Sequence, residues 1–137
     1  MKAQRSGAII NMSSNAGLSG CPLRSPYAAS KWAAIGLAKT WAMELGPWNI
    51  RVNALCPGSV SGPRIEGVIT RDAEARGMTP DAIRRVYQRQ GSLRQFTDPE
   101  DIAAMVAFLA GPGGKKVSGQ AIAIDGHTES LANWLDP

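Results

Sequence analysis

Tyr27 and Lys31 stand four residues apart in the run Tyr27-Ala28-Ala29-Ser30-Lys31. On a helix that spacing puts both side chains on one face. A free phenol ionises near about 10, too high for a proton shuttle at neutral pH. A neighbouring ammonium favours the phenolate and brings such a group closer to its working range. Taken alone, a pair at this spacing is better explained as a surface contact. Ser13-Ser14 lies upstream at the end of an apolar run, and a hydroxyl there could bond a reacting oxygen that Tyr27 also touches. Simple loop entry is the plainer alternative. A third element is Asn53-Ala54-Leu55-Cys56-Pro57-Gly58-Ser59-Val60. Gly58 permits close backbone approach, and the peptide groups of Ser59 and Val60 could pair with an amide-bearing ligand. An ordinary strand-ending turn would give the same sequence.

Positioning these residues requires strands that end beside one another. Gly7 to Ser13 reads as a short buried strand, and Asn15 to Pro26 as a loop punctuated by Gly17, Gly20, Pro22 and Pro26. Ser25-Pro26 reads as a capped helix start, and the helix runs to Leu45, where Gly46-Pro47 ends it. Its many small residues, with Trp32, Ile35, Trp41 and Leu45, predict burial on more than one side, inside the domain or at a subunit interface. Met43 reads as helix core, and Trp32, Trp41, Trp48 and Trp134 as packing or interface residues. Ile50 to Cys56 is a second strand stopped by Pro57-Gly58, and Gln120 to Asp125 a third. Between them, residues 59–69 read as loop becoming helix, and helices open at Thr79-Pro80-Asp81 and at Asp98-Pro99-Glu100-Asp101. The first of these two runs to about Gln90 and the second through Ala110, where Gly111 to Gly114 breaks it. Strands alternating with helices predict an α/β fold with a parallel sheet. Three strands are few for such a sheet, which points to part of a larger sheet or to one completed by another chain.

Composition narrows the function. The chain has 137 residues, 44% hydrophobic and 19% charged, which suits one globular domain rather than a disordered chain. No apolar run approaches the ~20 residues of a membrane helix. The basic start Met1 to Gly7 leads into an apolar stretch too short for a signal peptide, so a cytoplasmic protein is expected. Cys21 and Cys56 form no disulfide framework and no metal-ligand spacing, so free thiols and no metal are expected. The net charge of +4 falls partly on Arg84, Arg85, Arg89 and Arg94. Without a nucleic-acid motif these read as a solvated helix face. The lone His127 reads as a surface or subunit-contact residue.

Taken together, the motifs resemble the short-chain dehydrogenase/reductase family. The matching stretches are Gly7 to Ser14 with Gly17, then Tyr27 to Lys31, then Ile50 to Ala54 with Pro57-Gly58. Pro99 to Ala103, Ser118-Gly119-Gln120 and Asp125-Gly126 match the closing segments, and the likeness covers nearly the whole chain in order. The resemblance implies a partial Rossmann-like parallel sheet with flanking helices, the C-terminal half of a doubly wound fold. It implies interconversion of a small-molecule alcohol and carbonyl with NAD or NADP. On this reading Tyr27 is the general acid/base and Ser14 positions the reacting oxygen. Lys31 eases ionisation of the tyrosine and binds the nicotinamide ribose. Pro57, Gly58, Ser59 and Val60 line the nicotinamide. Residues 59–90 correspond to the variable substrate lid. Where many members carry threonine after the turn, this chain has Ser61-Gly62. A homo-oligomer, dimer or tetramer, is also implied, with the long helix packing against its copy.

Residues 1–137 then read as a single partial domain, with the family's N-terminal dinucleotide-binding half absent. There is no Thr-Gly-x-x-x-Gly-x-Gly loop to seat a pyrophosphate on a helix N-terminus, no selector for the ribose 2′ position, and no Asn-Asn-Ala-Gly segment. An exposed apolar edge strand and uncovered helix faces are the physical consequence. Beside the oxidoreductase reading stands a second, a truncated non-catalytic fragment or association module for a full-length relative.

Overall fold

The computed structural model describes residues 1–132. Trp134 lies outside them. Three strands, β1 (Gly7–Met12), β2 (Ile50–Pro57) and β3 (Ala121–Ile124), form one parallel sheet in the order β1-β2-β3. Both pairings are parallel, Gly7 to Met12 against Ile50 to Leu55, and Ala54 to Pro57 against Ala121 to Ile124. A parallel neighbour needs a crossover. Helix α1 (Ser25–Leu45) supplies it between β1 and β2. Helices α2 (Pro63–Arg76), α3 (Pro80–Gln88) and α4 (Pro99–Ala110) lie in the second crossover.

Alternation along β2 serves two sides of the sheet. Val52, Ala54 and Cys56 pack with Ile35 and Ala38 of α1 into one core. On the other side Arg51 donates to the carbonyls of Leu109, Ala110 and Gly114, closing the C-terminus of α4. Asn53, 1% exposed, bonds Val117 O and Gln120 N. A second cluster of Ile65, Ile69, Ala73 and Ile83 joins α2 to α3.

Three sequence expectations change. Ser25 lies inside α1, whose N-cap is Arg24 with no side-chain cap bond. At its other end α1 stops at Leu45 with Gly46 as its C-cap, as expected, and a 3-10 turn (Gly46–Trp48) follows that Asn49, at φ 55, ends. Helix α2 runs on to Arg76, past the stretch 59–69 read as loop becoming helix; Gly77, at φ 62, ends it in the left-handed conformation that glycine tolerates. Met43 is not core but 82% exposed, because α1 buries one face against β2 and leaves the other open; Trp32, read as a packing or interface residue, is 54% exposed. Trp41 and Trp48 are half-buried.

Candidate active site

Parallel pairing brings the C-terminal ends of β1 and β2 to the same edge, the place where open α/β sheets bind ligands. Met12 pairs with Leu55, so Ser13 and Ser14 emerge beside the exit of Pro57 to Val60. Ser14 then starts a 3-10 turn (Asn15–Gly17): its Oγ accepts from Ala16 N at 3.2 Å and donates to Asn15 Oδ1 at 3.1 Å. The hydroxyl is thus oriented by its own turn, and the residue is buried.

Two bonds fix α1 against this edge. Ser13 Oγ donates to Lys31 O at 2.7 Å, and Asn11 Nδ2 to Ala34 O at 3.5 Å. Gly17 cannot be larger, since a Cβ there would lie 2.6 Å from Ser13 Oγ and 2.8 Å from Lys31 O. Lys31 Nζ donates to Met12 O at 3.3 Å and stands 5.5 Å from the centre of the Tyr27 ring. Tyr27 is half-buried.

Ser14 and Tyr27 line one cavity of about 500 Å³, together with Gly58, Ser59 and Val60. Lys31 and Pro57 are not part of its wall; Lys31 stands behind Tyr27, and Pro57 is the last residue of β2 paired with Ile124. The turn at Gly58 is tight: Gly58 N donates to Ile124 O at 3.0 Å, and a Cβ would meet Asp125 Cβ at 2.9 Å. Next to it Thr97 N donates to Ser59 O and Ser61 N to Thr97 O, both at 2.9 Å. These two bonds bracket Val60, so its own N–H and C=O point away from Thr97. Val60 thus offers one backbone donor and one acceptor that Thr97 does not use.

The remaining wall comes largely from the stretch expected to be the substrate lid, through residues not named individually from sequence. Residues 59–90 supply much of it, including Ile65, Asp72, Tyr87 and Gln90; Cys21 and Leu131 also contribute. Burial, then the charge of Asp72, pushes the Tyr87 phenol above its ordinary range, so it remains a neutral donor. Thr97 is 7% exposed, and its hydroxyl donates to Ile124 O at 2.9 Å, tying the Val60 turn to β3. Asn15 Nδ2 donates to Thr128 Oγ1, which donates to Asp125 Oδ2, so the loops after β1 and β3 are joined. No sequence spacing announces these ties, since Asn15 and Thr128 meet only through the sheet.

Among the described residues there is no cluster that could hold a metal ion. Both cysteines are free, and burial raises the Cys56 thiol above its ordinary range. Of the basic residues read as a solvated face, Arg84 grips both oxygens of Glu66 at 2.6 and 2.5 Å, and Arg94 pairs with Glu129 at 3.4 Å. His127 is exposed, with Nδ1 2.6 Å from Ser92 Oγ. No helix of the described residues is long and apolar enough to cross a membrane.

The profile of the enoyl-(acyl carrier protein) reductase family matches residues 1–127, and the chain belongs to this family of short-chain dehydrogenases/reductases. It is 40% identical over 126 residues to the 3-oxoacyl-[acyl-carrier-protein] reductase of Thermotoga maritima, an alignment covering 92% of this chain and 47% of that one. A solved actinorhodin polyketide ketoreductase with NADPH superposes with a TM-score of 0.84 at 30% identity, covering 96% of this chain and 49% of the other. A 3-oxoacyl-[acyl-carrier protein] reductase from Brucella melitensis with bound NAD gives a TM-score of 0.75 at 30% identity, covering 95% and 44%. The chain therefore spans about half the length of the relatives it matches. The α/β architecture expected from the strand–helix alternation is the one observed.

Proposed function

We propose that this chain is the catalytic, C-terminal half of an NAD(P)-dependent oxidoreductase that interconverts an alcohol and a carbonyl compound. The observation that carries this reading is the convergence of Ser14 and Tyr27 on one cavity whose wall continues into the Gly58–Val60 turn. The similar structures with NADPH and NAD support a nicotinamide cofactor.

When bound, a nicotinamide cofactor supplies or accepts the hydride at the reacting carbon. The chain's own residues handle the oxygen and its proton. In the reducing direction Tyr27 donates its hydroxyl proton to the oxygen of the former carbonyl; in the oxidising direction it takes that proton back. Ser14 Oγ, held by its own turn, hydrogen-bonds the same oxygen and fixes its position. The Lys31 ammonium, 5.5 Å from the phenol ring, stabilises the negative charge left when the proton departs. Lys31 would also meet the nicotinamide ribose, and Val60 the carboxamide. Pro57 acts from behind, by ending β2.

The test is oxidation of NADH and NADPH by the chain with a panel of ketones. Replacing Tyr27 by Phe should lower turnover by about 10²-fold or more, since only the transferable proton is lost, while the circular dichroism stays unchanged. Retained turnover in that variant would refute the assignment. A second reading is favoured by the open face of α1, where Trp32 and Met43 are exposed: an association module that docks on a copy or a longer relative. Absence of cofactor binding and turnover, with co-purification of a longer relative, would decide for it.

A further inference from the structure

Among the described residues, the charged groups in the cavity wall are Arg24, Arg64, Arg76 and Asp72. Asp72 Oδ1 already accepts from Arg76 Nε at 2.7 Å, so the one carboxylate is engaged. The nearest acid to Arg64 along its helix, Glu66, has both oxygens held by Arg84. Among the described residues, Arg24 and Arg64 form no ion pair. Three guanidiniums against one carboxylate leave the wall with an excess of positive charge. Low-dielectric walls focus such a field on whatever enters. Tyr87, kept neutral by burial and by Asp72, does not offset it.

Both arginines line the cavity from exposed positions, and neither belongs to an apolar cluster. Arg64 lies in the first turn of α2, where the helix dipole disfavours a cation, and the helix is anchored by Ile65, Ile69 and Ala73 instead. Arg24 begins α1, with Ala28 N donating to Arg24 O at 2.9 Å. Three residues later on the same turn comes Tyr27. Both side chains line the cavity.

We propose that the cavity selects a small carbonyl compound bearing an anionic group, carboxylate or phosphate, bound by Arg24 and Arg64 while its carbonyl faces Ser14 and Tyr27. This rests on the reading of Ser14 and Tyr27 as the reacting end. The anion and the carbonyl are separated by a short spacer, because Arg24 and Tyr27 share a helical turn.

The test is calorimetric titration of the full chain, with and without NADPH, using two matched pairs. These are levulinate against methyl levulinate, and dihydroxyacetone phosphate against dihydroxyacetone. The anionic member of at least one pair should bind about tenfold tighter, the scale of one charged hydrogen bond. The pair that discriminates names the anion. Replacing Arg24 or Arg64 by Gln should shrink that ratio; Arg71→Gln, on α2 but outside the wall, should keep it. No binding, equal affinities within both pairs, or an unchanged ratio in both variants would overturn the proposal. Turnover is followed in the same samples. Selective binding of the anion without turnover would sink the oxidoreductase reading and leave the anion site standing. Equal turnover of acid and ester would do the reverse.

Discussion

Replacing Asn53 by Ala should destabilise the chain by an amount that can be worked from two bonds. Asn53 is 1% exposed in the central strand, where its Nδ2 donates to Val117 O at 2.9 Å and its Oδ1 accepts from Gln120 N at 3.1 Å. Those bonds hold the segment that leads into β3, beside Gly119 N to Val52 O and Gln120 O from Ala54 N. Each intramolecular bond is worth about 1 kcal/mol net, and each orphaned partner adds up to about 1–3 kcal/mol if it stays dry. Val117 is half-buried and Gln120 exposed, so water can reach the freed groups in part. The expected cost is therefore about 2–3 kcal/mol, toward the lower end of what those terms allow. Asn53→Asp keeps the shape and the acceptor for Gln120 N but turns an acceptor toward Val117 O and buries a charge. It should cost more than Asn53→Ala, about 3 kcal/mol or above. Urea unfolding followed by tryptophan fluorescence measures both, with the denaturant slope unchanged if the unfolded ensemble is the same. Packing alone would make the same-shaped Asp the milder change. An Asn53→Ala cost under about 0.5 kcal/mol, or Asn53→Asp milder than Asn53→Ala, would refute the hydrogen-bond account.

Glu66 is held below its ordinary value of 4.5 chiefly by its hydrogen bonds from Arg84. Its contribution is present above that value and lost as pH falls through the lower folded value. The stability difference between wild type and Glu66→Gln should thus be flat above pH 4.5 and shrink in more acidic solution; a difference that grows on acidification would contradict this. Cys56 is fully buried with its thiol pushed up by burial, whereas Cys21 is half-buried in the cavity wall. A thiol reagent at neutral pH should modify Cys21 alone in the native chain and both cysteines in denaturant, and prompt reaction at both native sites would show that the β2 end is open. Gly58→Ala would place a Cβ 2.9 Å from Asp125 Cβ and 3.0 Å from Asp125 Cα. The turn must shift, at about 1–3 kcal/mol, and nicotinamide binding should weaken with it; a variant as stable as wild type by urea unfolding would show the contact to be soft.

Much of the frame was legible because its signals are local. The three strands lie within a residue or so of where apolar runs and Pro-Gly stops place them. Helices α3 and α4 open where Thr79-Pro80 and Asp98-Pro99 predict, with Thr79 Oγ1 accepting from Ala82 N and the Asp101 carboxylate from Asp98 N. The end of α2 was harder to see. Its stripe of Ile65, Ile69 and Ala73 is narrow and is diluted by Gly67 and six charged residues, Arg64, Glu66, Arg71, Asp72, Glu74 and Arg76. Ser14 and Tyr27 could be paired from sequence because their spacing spans one loop that returns to the same edge. Asp72 and Tyr87 could not, since their approach depends on how the α2–α3 pair folds back over that edge. Met43 was misjudged for a related reason: apolar character says what a side chain tolerates, and only the packing of α1 on β2 says which face is covered.

One strand sets most of this geometry. Even-numbered residues of β2 grip α1, which carries Tyr27 and Lys31; odd-numbered ones grip the end of α4 and the start of β3, through Arg51 and Asn53. Its last residues then become the wall at Gly58 to Val60. A slip of one residue in its pairing would exchange the two sets, sending the arginine and the amide into the apolar layer beneath α1. Such a slip is excluded energetically, because Arg51 and Asn53 would lose all their carbonyl partners at once. The residues that make β2 costly to misregister are therefore the ones that hold the cavity's two walls, on α1 and beyond β2, at a fixed separation. Sheet register thus sets the separation of the walls, while the Ser14 turn, the Ser13–Lys31 bond and the tight Gly58 turn place the groups within them.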